Sequence, residues 1–185
     1  DLEYARQTGS VRATANPADV ADLDHDASMI HAEAGYTFDT AWAPRLSLHY
    51  DFASGDTSPA DLSSERFDPL FGDRGFEFGP TSIWGVIFRS NLDSPGLRLE
   101  LKPDKANELM RMVRQVKLDS PTDIFGNSGV RDATGASGDE VGTHLELRWR
   151  RQVVPDSVRL SLGAAALLRD DFLKSAPNAT LEGDS

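Results

Sequence analysis

The stretch VGTHLELRWRR (141–151) decides how the chain folds. Its odd positions, Val141, Thr143, Leu145, Leu147 and Trp149, are mostly apolar, and its even positions, Gly142, His144, Glu146, Arg148 and Arg150, are mostly charged. Alternate side chains of a strand point to opposite sides of a sheet. The segment therefore predicts a strand with one greasy and one charged face, which either covers a soluble core or stands between lipid and a watery lumen.

The same period of two recurs along the chain. Residues 27–38 place Ile30, Ala32, Ala34, Tyr36 and Phe38 on one side and Met29, His31, Glu33, Gly35 and Thr37 on the other. After a short turn at 39–41, Trp42, Pro44, Leu46, Leu48, Tyr50 and Phe52 oppose Arg45, Ser47, His49 and Asp51. A run of roughly eleven such residues is the length of a tilted bilayer crossing. Leu97, Leu99 and Leu101 oppose Arg98, Glu100 and Lys102, and a last strand sets Val158, Leu160, Leu162, Ala164, Ala166 and Leu168 against Arg159, Ser161, Gly163 and Arg169. Between these two strands, Met110, Met112, Val116 and Leu118 define an outer face against Arg111, Gln115 and Lys117, with Glu108 and Arg114 sitting awkwardly on the greasy side. Residues 2–7 add a further strand, for about seven in all.

The connections alternate in size. Short turns fall at 39–41, 103–106 and 151–157, and long loops at 8–26, 53–95, 119–140 and 170 onward. Up-and-down outer-membrane barrels have this asymmetry, with brief periplasmic turns and extended external loops. An extra crossing at 80–92 would break the alternation, so that segment is expected to be a short helix inside its loop, opened by Pro80 and carrying Ile83, Trp84, Ile87 and Phe88, with an incomplete strand as the alternative. No long amphipathic helix offers a second layer to cover the greasy faces, whereas lipid does. Tyr36, Phe38, Trp42 and Trp149 gather near short turns, where an interfacial aromatic belt belongs. The alternative is a soluble β-sandwich or lipocalin-like barrel, a binding module with acidic calcium- or ligand-binding loops.

The expected inner face carries Arg45, His49, Arg98, Lys102, Arg111, Lys117, His144, Arg148, Arg150, Arg159 and Arg169, and its cations outnumber Glu33, Asp51, Glu100 and Glu146. These residues form the candidate solute pathway. The chain as a whole has a net charge of -11, so its acids sit in the loops. That balance argues against a nucleic-acid partner, which requires a basic footprint. The absence of cysteine excludes disulfides and thiolate metal sites across the 185 residues.

Asp22, Asp24 and Asp26, with Glu33, imitate the carboxylate spacing of a calcium loop, but Ala27 stands where its glycine belongs. They are weak metal candidates beside the plainer reading of an acidic loop entering a strand. His31 with Glu33 and His144 with Glu146 each offer two ligands on one face and lack a third. Asp51, Glu100 and Glu146 offer carboxylates of the kind glycosidases pair, without a defined arrangement. No catalytic residue and no cofactor is expected.

Several phrases together resemble the bacterial alginate export family of outer-membrane proteins: GYTF (35–38), RLSLHYDFASGD (45–56), RFDPLFG (66–72) and GDEVGTHLELRWRRQVVPDSVRLSLGAAALLRDDF (138–172). The resemblance covers most of the chain. It implies a monomeric, eighteen-stranded pore in the bacterial outer membrane that passes an anionic polysaccharide through an arginine-rich lumen, embedded in outer-membrane lipid. Family breadth leaves other small anionic solutes open. The chain, residues 1–185, is then expected to be a single partial barrel domain. It lacks the N-terminal strands and the closing C-terminal strand, and would not make a pore in isolation.

Overall fold

The computed structural model of the protein describes residues 1–14, 16–58, 60–69 and 87–179. Its strands are β1 (Leu2–Val11), β2 (Leu23–Thr37), β3 (Arg45–Ala53), β4 (Ser63–Ser64), β5 (Leu92–Leu101), β6 (Asn107–Lys117), β7 (Glu140–Val154) and β8 (Val158–Arg169), followed by the short helix α1 (Asp171–Ser175). All but β4 form an antiparallel meander in the order β1-β2-β3-β5-β6-β7-β8, and β4 pairs in parallel with β2. The fold is thus nearly all-β, as the alternation predicts. Neighbours in sequence are neighbours in space, so only hairpins are needed to build the sheet.

Short and long connections alternate as expected. The short ones cross at 38–44, 102–106 and 155–157. Phe38 N–H donates to the Pro44 carbonyl at 2.8 Å and Gln152 N–H to the Ala106 carbonyl at 2.8 Å, closing two rims of this end. In the last turn Asp156 takes a φ of 56°, a left-handed conformation that aspartate tolerates. The long loops all gather at the opposite end.

The sheet is inside-out relative to a soluble protein. Row by row, Ala34, Leu48, Leu97, Val113, Leu145 and Ala166 lie side by side across the outer face, and Leu101, Leu109, Trp149 and Leu162 form a second row. Leu48 is 65% and Leu147 56% exposed, whereas on the opposite face Asp51 is 1% and His49 4% exposed. Moving each such leucine from water into hydrocarbon is favourable by about 1.5–3 kcal/mol, so this surface calls for lipid. No second sheet packs against it among the described residues.

Two expectations about facing are corrected. In β6, Met110, Met112, Arg114 and Val116 are buried on the inner face, paired across to Arg148, Glu146, His144 and Gly142. Arg111 and Lys117 therefore stand on the outer face and not on the inner one; Arg111 lies between Leu99 and Leu147. The methionines misled because the inner face is not uniformly polar: their flexible chains fill space between charged layers. Val141 is also inside, fully buried, because the β6–β7 register shifts between Val116 and Lys117 and inserts it as an extra residue. Gly142 beside it has φ 149°, and a Cβ there would lie 2.1 Å from the Leu168 carbonyl oxygen.

At the long-loop end the inner face is filled by an apolar plug. Ala27, Met29, Ala53, Leu92, Val116 and Val141 of the sheet pack with Phe67, Ile87, Leu118, Phe125 and Phe172. Phe125 and Phe172 meet edge to face at 6.5 Å, and Asp170 caps α1 by accepting from the Asp171 N–H. The helix expected at 80–92 lies largely outside the described residues; Ile87 and Phe88 are buried in non-helical chain, and Leu92 already belongs to β5.

Candidate solute pathway

Below the plug the inner face is a layered network of charge. Arg114 of β6 donates to Asp51 of β3 at 2.6 Å and to Ser94 Oγ of β5 at 3.2 Å, and both side chains of the ion pair are 2% exposed. Asp51 also bonds His31 Nδ1 of β2 at 2.7 Å. One carboxylate thus links three strands, which is how a charge this deep is kept partnered.

Nearer the short turns, carboxylates are shared. Glu33 accepts from Arg45 at 2.8 Å and lies 3.9 Å from Arg98; Glu108 lies 3.9 Å from Arg148 and 3.6 Å from Arg150. Glu100 lies 3.7 Å from Arg45 as well, so three acids serve four guanidiniums. Each guanidinium carries five donors, and the buried Nε atoms of Arg98 and Arg148, with Nδ1 of His144, have no hydrogen-bond partner among the described residues. Donor capacity is left over at this level.

Of the other sequence candidates, Arg159 is exposed on the inner side of β8 and donates to Gln152 at 3.4 Å, and Arg169 pairs in register with Gly142. Lys102 lies exposed in the turn after β5, its N–H donating to the Trp42 carbonyl at 2.7 Å. Lys117 pairs with Glu140 on the outer face. Sequence reasoning missed Arg114 as an inner residue and Glu108 as its neighbour by parity; their clash with the apolar pattern of β6 was the available signal. With these in place, and with Glu3 of β1 opposite His31, the inner strand positions hold Arg45, Arg98, Arg114, Arg148, Arg150, Arg159 and Arg169 against Glu3, Glu33, Asp51, Glu100, Glu108 and Glu146. The face is closer to balance than the alternation implied, and its surplus of donors is local to β5 and β7.

The metal candidates divide. Asp24 and Asp26 lie in β2 opposite Ser10 and Thr8, and Asp26 is held by Arg6 at 2.7 Å and Asp22 by Arg12 at 3.4 Å, so no calcium loop forms there. His31 and Glu33 gain the third ligand the sequence did not show: His49 of β3 stands opposite Glu33, and one ligand atom from each of the three lies within 4.8 Å of the others. Arg45 and Arg98 already lean on Glu33, and a dication would add charge to a cationic neighbourhood. The set is better read as part of the charge network.

An antiparallel wall with an apolar exterior, a charged interior, short turns at one end and long loops at the other is a portion of a transmembrane β-barrel. The chain belongs to the alginate export family, whose model matches residues 1–183. Proteins of this family are outer-membrane β-barrel channels, so the protein is one of the outer membrane and of transport, with alginate export as its general role. No curated protein matches the chain.

Proposed function

We propose that the inner face guides anionic solute, an alginate-like polysaccharide or another anion, past Arg98, Arg148 and Arg150 by attraction alone, with no bond made or broken. The observation that carries this reading is the sharing of three carboxylates, Glu33, Glu100 and Glu108, among four guanidiniums, with the buried Nε atoms of Arg98 and Arg148 left without hydrogen-bond partners among the described residues. A polyuronate carboxylate offers the planar acceptor that a guanidinium fork matches, and a cationic constriction concentrates polyanions. Arg45 and Arg114, held by Glu33 and Asp51, shape the passage more than they bind. The sheet's free edges, β1 and β8, require partners in lipid, so the wall acts as part of a larger closed barrel that works as a monomer.

Reversal potentials of the intact protein in planar bilayers test this. Anion preference is expected, and replacing Arg148 and Arg150 by Glu should lower or reverse it, while soluble polyuronate should block the unaltered pore more strongly than the variant. Cation preference in the unaltered protein, or selectivity indifferent to both replacements, would sink the reading.

A further inference from the structure

Arg111 stands on the apolar outer face, between Leu99 of β5 and Leu147 of β7. It is exposed, with no hydrogen bond or ion pair among the described residues. The outward Lys117, by contrast, is neutralised by Glu140. A lone cation facing hydrocarbon is destabilising unless an anion meets it.

Beside Arg111 a groove of about 520 Å³ crosses the wall, lined by Leu99, Leu109, Leu147, Trp149, Leu162 and Ala164. β8 carries a small residue on this face, where Ala164 stands opposite Leu147. Trp149 borders it, its indole N–H donating to Asn107 Oδ1 at 3.0 Å at the first position of β6, beside the short-turn rim. Tryptophan in this place marks the interface level. Arg111 is two residues farther along β6 than Leu109, the register partner of Trp149. An arginine one step inside the belt reaches back to headgroup level with its long chain.

We propose that this groove is a phospholipid site: one acyl chain of a lipid from the leaflet at the short-turn side lies along the apolar trough, and its phosphate is held by the Arg111 guanidinium. Charge complementarity selects this occupant over an uncharged apolar one, because a guanidinium fork binds phosphate oxygens in pairs. The site rests on the outer-membrane placement of the wall and is independent of which solute passes inside. Its readout does not involve conductance, so its failure is separable from failure of the anion pathway.

The test is native mass spectrometry of the intact protein in detergent with added palmitoyl-oleoyl phosphatidylglycerol. One retained lipid per protein is expected, and R111L should lower its retention on the order of tenfold, as expected for loss of a charge-assisted pair. A164F, which fills the trough and leaves Arg111 in place, should lower it as well. Unchanged heat-modifiable gel mobility shows that both variants are folded. Diacylglycerol with the same chains and inorganic phosphate alone should each bind far more weakly, since each supplies half of the recognition. Retention in both variants equal to the unaltered protein would overturn the assignment. Equal binding of diacylglycerol or of free phosphate would do so too, as would dimers that R111L breaks, which would put a second copy on this face.

Discussion

Arg114 shows how much a single inner residue carries. It is 2% exposed and its charge is met by Asp51, which is itself tied to His31. Deleting one member of a buried pair leaves the other desolvated and uncompensated, typically at about 3–5 kcal/mol, whereas deleting both removes the penalty along with the attraction. Arg114→Met should therefore destabilise the intact protein by about that amount, read from the denaturant midpoint of the unfolding transition, and Arg114→Met with Asp51→Asn should recover part of the loss. If the double replacement is as damaging as the sum of the two single ones, the pair is not the coupled unit the geometry describes. The pairing was illegible in sequence because its members lie 63 positions apart and only the register of three strands brings them together.

At the scale of the element, β6 is where reading and structure part. Strands β2, β3, β5, β7 and β8 declare their faces because below the plug each keeps most of its apolar residues to one parity, and their register agrees with that parity row by row. In β6 neither parity is clean: the inner set mixes Glu108 and Arg114 with Met110, Met112 and Val116, and the outer set mixes Leu109 and Val113 with Arg111, Gln115 and Lys117. Apolar count alone then selects the wrong face, whereas buried charge in contact with Asp51 selects the right one. The extra residue Val141 was hidden for a different reason, since a bulge shifts register without altering local composition. The chain has no cysteine, so single cysteines report without background. Cysteines at 110 and 112 should react with water-borne thiol reagents slowly and only through the lumen, and cysteines at 111 and 113 should instead show contact with lipid-borne quenchers once labelled. A reversed pattern would mean that β6 sits one residue out of the register described.

For the whole molecule, the plug and the wall are held by different physics. The wall rests on backbone ladders and on an apolar exterior, while the plug adds polar clamps between loops distant in sequence: Asn91, buried with φ 50°, donates to the Ser120 and Ile124 carbonyls and accepts from the Ser120 N–H, and Arg66 pairs with the buried Asp123. None of these partners carries a local signal, which is why the loops read only as acidic and long. Asp56 lies at the centre of the clamps, its N–H donating to Asp123 and its carbonyl accepting from Ser120 Oγ. Burial, with the Asp123 carboxylate alongside, raises its pKa above the ordinary carboxylate value. The sign follows from linkage: a carboxyl with a raised folded pKa is favoured protonated in the packed state, so its penalty is absent below the unfolded value and grows as pH rises through the folded one. The plug should accordingly be tighter in mild acid than at neutral pH. A nitroxide on a cysteine at position 57 should lose mobility as pH falls from about 7 toward the carboxylate range, and Asp56→Asn, neutral at every pH, should hold the low-mobility spectrum throughout. Heat-modifiable gel mobility of the wall should be unchanged by the replacement, because no strand of the sheet depends on that carboxyl; mobility at 57 that ignores pH, or that responds equally in the Asn variant, would remove Asp56 from the account of what holds the plug.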